Sequence, residues 1–267
     1  MDFKAQFETR VPPADAITSL KERVSAEEWR LRVDLAATYR LVAMHGWDDM
    51  IFTHISARVP GPEHHFLINP YGLLFDEITA SSLVKIDVDG NKVGDSPYPV
   101  NPAGFTIHSA LHMERDDAHC IIHLHTTDGV AVSAQSDGLL PLDQHAMMIC
   151  KDVAYHDYEG IALDLDERER LVRDLGAEKH IMLLRNHGTL ALGRSCADAF
   201  LRIYYLERSC SMQVRALAGG AKPNWPNQGV PEKTANQAAF AFEGMLGGLA
   251  WPALLRKLDR VDTSYRH

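Results

Sequence analysis

Between positions 26 and 45 the apolar residues return at steps of three and four: Trp29, Val33, Ala36 with Ala37, Leu41 and Met44. That period predicts an amphipathic helix, and Gly46 supplies its stop. Shorter apolar runs follow. The segments 51–58, 65–69, 83–87 and 92–94 predict strands, the last two joined by the turn residues Asp89, Gly90 and Asn91. A helix is expected over 103–115, a buried strand over 120–125 and a short helix over 127–135. A further helix at 164–175 precedes a strand at 181–184, and the turn Asn186-His187-Gly188 leads into another at 189–192. The longest helix is predicted over 197–218, with Phe200, Ile203, Leu206, Cys210, Val214 and Leu217 on one face and Gly219-Gly220 ending it.

Strands interleaved with helices and joined by hairpin-type turns predict an α/β fold. The expected form is a three-layer α/β/α sandwich around a largely antiparallel sheet. Three regions are expected: an N-terminal arm at 1–25 with Pro12 and Pro13, a domain at 26–220, and a linker with a helical tail at 221–267. The linker is marked by Pro223, Pro226, Gly229 and Pro231, and the tail carries a helical pattern near 233–257. Packing of this tail on its own domain and packing on a neighbouring subunit both stay open.

Composition narrows the function. The 267 residues carry 27 Lys and Arg against 36 Asp and Glu, a formal net charge of −9, with no basic block. A phosphate-binding surface needs clustered cations, so a nucleic-acid partner is not expected. No apolar run approaches the roughly 18 residues of a membrane span, and the first thirty residues lack a secretory pattern. Cys120, Cys150, Cys196 and Cys210 are dispersed, as free thiols in a reducing cytoplasm would be.

Fourteen histidines are an excess for this length. His64, His65, His156 and His267 fall in loop or terminal contexts and are discounted. His123 and His125 are different, because residues two apart on a strand share a face about 6.6 Å apart at a rise of roughly 3.3 Å per residue. Two imidazoles so placed can converge on one ion, or can be two hydrogen-bonded polar residues at a sheet rim. His119 shares that face but lies about 13 Å from His123 by the same rise. The alternate positions Cys120, Ile122 and Leu124 are apolar and expected to face the core. His187 adds a third imidazole immediately after an apolar strand, on a turn expected to need Asn186 and Gly188 for its backbone angles. Three neutral imidazoles with an open position describe a catalytic zinc site.

His123-Leu124-His125 together with Arg185-Asn186-His187-Gly188 resembles the metal-ligand pattern of the class II aldolase/adducin family, which includes fuculose-phosphate aldolase and ribulose-phosphate 4-epimerase. The stretches 75–85 (FDEITASSLVK), 103–109 (AGFTIHS) and 153–158 (VAYHDY) resemble the adducin head domain more nearly. The similarity runs from about 28 to 218. It implies an α/β/α sandwich, a homotetramer, and a zinc or other divalent ion that grips substrate oxygens and stabilises an enediolate.

The same resemblance exposes two departures. Where the sugar-phosphate aldolases carry a proton-handling Glu, this chain has Gly104. Their phosphate-binding Gly-Asn pair is Thr53-His54 here, and their Ser-Ser pair is Pro102-Ala103. A replacement proton carrier is therefore sought in His54, His108 or Asp128, the last also able to orient a metal-bound imidazole. Family sites borrow tyrosines from neighbouring subunits, which draws attention to Tyr265; an exposed terminal tyrosine is the plainer expectation. The implied function is a zinc-dependent lyase on a small, non-phosphorylated hydroxy-carbonyl compound. The alternatives are a metal-dependent decarboxylase of the same fold and a non-catalytic adducin-like binding module.

Overall fold

The computed structural model describes residues 11–160, 166–220, 222–242 and 245–267, with the side chains at 102–107, 241, 245 and 246 outside that description. Helix α1 spans Ala26–Met44, its N-terminus capped by the Ser25 hydroxyl, which accepts from the Glu28 amide. Ala36, Ala37 and Leu41 of the expected stripe are buried and Val33 and Met44 pack partly buried on the core, and the buried surface extends further, to Glu28, Arg32, Leu35, Tyr39 and Val42. Two charges enter that face because they satisfy each other. Arg32 Nε lies 2.9 Å from Glu28, Lys85 closes the other Glu28 oxygen at 2.8 Å, and Arg32 donates to the Ala80 and Leu83 carbonyls.

Seven strands form one sheet in the order β3-β2-β1-β4-β7-β6-β5. They are β1 His54–Arg58, β2 Phe66–Ile68, β3 Val84–Ile86, β4 Cys120–Leu124, β5 Val153–His156, β6 Ile181–Leu184 and β7 Gly188–Gly193. All neighbours are antiparallel except β5 with β6. The strand expected at 92–94 reduces to one bridge between Ile86 and Lys92, because Asp87 turns the chain tightly by accepting from the amides of Asp89 and Asn91.

The remaining helices are α2 Pro102–Glu114, α3 Thr127–Ser133, α4 Gln144–Ile149, α5 Glu167–Leu175, α6 Cys196–Leu217, α7 Val230–Ala238 and α8 Met245–Asp259. Cys120, Ile122 and Leu124 of β4 join the larger core with Leu35, Tyr39, Phe200 and Ile203 from α1 and α6. Ile121 joins Leu111, Leu171 and Leu175 from α2 and α5 on the opposite face. Helices on both faces of a largely antiparallel sheet give the expected sandwich.

The tail lies on its own chain. Trp251 of α8 donates to Asp34 of α1 at 3.0 Å, and the Ala80 and Ser81 amides donate to the Tyr265 and His267 carbonyls. Tyr265 is fully buried, its hydroxyl donating to Asp259 at 2.7 Å, which overturns the exposed terminal tyrosine. The four cysteines are free, as expected. Among the described residues no helix is long and apolar enough to cross a membrane.

Candidate metal centre

Period-two alternation on β4 sends His123 to the same face as Ile121, toward α2 and α5, at the end of the sheet's middle strand. His125 follows just past the strand end. His187 arrives from the turn between β6 and β7, where Asn186 takes the left-handed conformation at φ 57° and the His187 amide donates to the Leu184 carbonyl. Gly188 is needed for a different reason than the one expected. It does not sit at a positive φ, but a Cβ there would lie 2.3 Å from the Leu124 carbonyl oxygen. Only glycine lets β7 pass this close to β4.

The ring nitrogens of His123, His125 and His187 lie within 4.8 Å of one another. His123 Nδ1 donates to the Thr189 carbonyl at 3.0 Å, and His125 Nδ1 donates to Asp49 Oδ2 at 3.1 Å. Both rings therefore turn Nε2 inward, 3.0 Å apart. That separation is near the roughly 3.3 Å edge of a tetrahedron with bonds of about 2.0–2.1 Å. When both rings are neutral, two lone pairs meet at this distance, an arrangement that a cation relieves. Burial, and then the neighbouring imidazoles, hold His123 well below the usual histidine range. Burial brings His187 down to about 4. Neutral nitrogen donors are what a divalent ion takes, so the residues present fit the ion.

His54 pairs with His123 across β1 and β4, their ring centroids 5.1 Å apart. Its Nδ1 meets His108 Nε2 at 3.0 Å, so these two expected residues come together beside the three converging imidazoles. Burial pushes both well below the usual range. Asp128 does not join them. Its carboxylate accepts from Ser211, which holds its acid form down, and from Arg215 at 3.0 Å, tying α3 to α6. Asp49 backs the His125 ring instead. Pro102, Ala103 and Gly104 fall where side-chain surroundings lie outside the described residues. His156, discounted above, is buried on β5 beside Asp174 at 2.7 Å.

Residues 33–214 match the family described as Class II Aldolase and Adducin N-terminal domain. The chain belongs to the class II aldolase/adducin family. A Caulobacter vibrioides protein named for class 2 aldolases is 59% identical over 248 residues, covering 92% of this chain and 96% of that protein. Mouse alpha-adducin is 47% identical over 196 residues, 73% of this chain but only 26% of the adducin. The solved L-fuculose 1-phosphate aldolase from Glaciozyma antarctica shares the fold at a TM-score of 0.76 and 27% identity, covering 96% of this chain and 97% of that one. Class II aldolases in general depend on a divalent metal, and this member offers a three-histidine candidate for it.

Several contacts in this family member escaped the sequence reading. Asp49 reaches His125 across 76 positions, a distance that carries no pattern. Tyr158, half exposed, places its ring 5.9 Å from that of His187. Glu207 of α6 accepts from the hydroxyls of Thr126 and Thr189, bracing the chain beside His125 and the carbonyl that holds His123. Ser56 and His112 line up with His54 and His108. For these a signal existed, since 54 and 56 share a strand face and 108 and 112 share a helix face.

Proposed function

We propose that this chain is a divalent-metal-dependent carbon–carbon lyase, with zinc as its ion and a small, non-phosphorylated hydroxy-carbonyl compound as its substrate. The observation that carries the reading is the convergence of His123, His125 and His187, with the inner nitrogens of the first two aimed by the Thr189 carbonyl and Asp49. These three rings would hold the ion, which supplies Lewis-acid stabilisation of developing charge on substrate oxygens. Each member of the pair keeps its outer N–H committed to an acceptor, so the rings cannot turn away.

The proton work falls to the histidines. Gly104 offers no acid, and Asp128 is held by Ser211 and Arg215. His54 stands beside the metal ligands as a neutral base, with His108 behind it. A decarboxylase would use the same donor set. A homotetramer in the cytoplasm is the assembly and place this reading expects, and sedimentation velocity measures the first.

The test has two parts. Purified protein is analysed for stoichiometric zinc, and His123→Ala is expected to lose it; full retention in the variant overturns the ligand assignment. The zinc-loaded protein is then incubated with hydroxyaldehydes, hydroxyacids and β-keto acids. Chelator-sensitive cleavage of a hydroxy-carbonyl compound is expected. Carbon dioxide release from the β-keto acids alone would mark a decarboxylase, and no turnover across the panel would favour an adducin-like binding module.

A further inference from the structure

A file of buried groups runs from the metal centre into the protein: His54, His108, Ser56, His112 and the Ala118 carbonyl. Successive contacts measure 3.0, 2.6, 2.7 and 2.6 Å. A carbonyl oxygen has no proton to give, so the direction of each bond follows from the last one. His112 Nδ1 donates to Ala118. Burial against Phe66, whose ring stacks 4.7 Å away, keeps His112 neutral, with its protonation brought down to about 3. Its Nε2 therefore carries a lone pair and accepts from the Ser56 hydroxyl.

That hydroxyl has one proton, now committed. Its oxygen accepts from His108 Nδ1, which leaves His108 Nε2 bare to accept from His54 Nδ1. The last member, His54 Nε2, is left with a lone pair and has no hydrogen-bond partner among the described residues. The reverse direction would require both nitrogens of His112 to carry protons, a buried imidazolium beside the Arg58 guanidinium.

We infer that this file, anchored on the Ala118 carbonyl, makes His54 an acceptor-only contact at the metal centre, selecting a ligand that presents a hydroxyl or water there and rejecting an anionic oxygen such as that of phosphate. Ser56 and His112 are then positioning residues, acting through His108 on which proton His54 carries. A phosphate oxygen over His54 meets lone pair against lone pair, whereas a hydroxyl completes the file. The argument rests on the proposed lyase reading only for the nature of the ligand; the direction of the file stands without it.

The direct test uses the intact, metal-free protein with nitrogen-15 in its histidine rings. Two-bond proton–nitrogen correlations distinguish the two neutral tautomers, and each ring is assigned by its loss in a single His→Gln variant. The Nδ1–H tautomer is expected for His54, His108 and His112. An Nε2–H proton on His54 overturns the inference. No turnover is involved, so this failure is distinct from an inactive substrate panel.

A second arm probes specificity with sulfate, an oxyanion of phosphate's shape that carries no proton, on zinc-loaded protein by calorimetry. His112→Phe keeps a ring against Phe66 but removes the anchor, freeing Ser56 to donate to His108 and so reversing His54. Sulfate is expected to bind His112→Phe about tenfold more tightly than wild type, the scale of one charge-assisted hydrogen bond. His112→Gln, whose amide can accept from Ser56 and donate to Ala118, should stay at the wild-type value. Equal sulfate affinity in all three proteins overturns the inference. So does a His54 ring signal that moves on zinc loading as the three ligand rings do, which would make it a fourth ligand. Should His112→Phe fail to fold, the wild-type ring spectra decide the matter.

Discussion

Replacing Gly188 by alanine puts a methyl group into the closest approach between β4 and β7. The new carbon would lie 2.3 Å from the Leu124 carbonyl oxygen, 3.1 Å from His125 Cδ2 and 3.3 Å from His123 Cε1. Carbon–oxygen contacts between strands sit at about 3.3 Å or more, so the shortfall is about 1 Å. The obstacle is backbone. Leu124 is paired with Thr189, and relief comes only by spreading the two strands at the end that carries the ligands. Overpacking of this kind costs about 1–3 kcal/mol. For a chain of this size each kcal/mol lowers Tm by roughly 2–4 °C, so the metal-free variant should melt about 2–12 °C below wild type. Zinc sites tolerate about 0.2 Å in bond length, and an offset several times larger should weaken zinc by at least about tenfold. Thermal melting of metal-free protein and zinc titration against a chromophoric chelator give the two numbers. An unchanged Tm together with zinc affinity within about twofold of wild type would refute the steric argument.

Other perturbations probe the supports around the ligands. Asp49→Asn removes the carboxylate behind His125 and should weaken zinc by about 10–100-fold with far-UV circular dichroism unchanged; chelator competition measures it, and a wild-type constant rules out the orienting role. Glu207 is pushed up to about 7 by burial, against 4.5 unperturbed. The folded state binds its proton more tightly, so the stability it adds is full below pH 4.5 and is lost as pH rises toward 7. Glu207→Gln should remove that decline, and the difference between the two proteins in urea unfolding should change by about 3 kcal/mol across the window. Parallel stability curves for wild type and variant would show that Glu207 is not a buried acid. His187→Ala should abolish stoichiometric zinc while leaving the sheet folded, checked by metal analysis and circular dichroism, since its ring comes from a turn and not from a strand.

The elements whose side chains follow a simple period were legible before any coordinates. His123 was placed because strand alternation needs only counting, and His187 because Asn before it tolerates the left-handed turn that the structure shows. Strand β5 was missed because four residues joined in parallel at an edge leave no hairpin signal. Helix α4 went unseen because six residues are too few to show a period; Asp143, accepting from the His145 and Ala146 amides, fixes its start. On α1 the expected stripe is buried, but the added burial of Glu28 and Arg32 was not legible, because they read as surface charges until Lys85, more than fifty positions away, completes their network. The same limit applies to the file behind His54. Each of its members has a local address, but the register that joins β1 to α2 is tertiary.

His123 hangs from β4, the fourth of seven strands, with a paired neighbour on each side. Openings that begin at the edges of a sheet reach its middle last. The His123 donor is thus presented by the part of the chain that breathes least, with His125 just past the same strand and His187 on the neighbouring turn. Segments such as the one bearing the half-exposed Tyr158 can then be edited while His123 stays where it is. A scaffold of that kind separates keeping a metal from deciding what the metal is for.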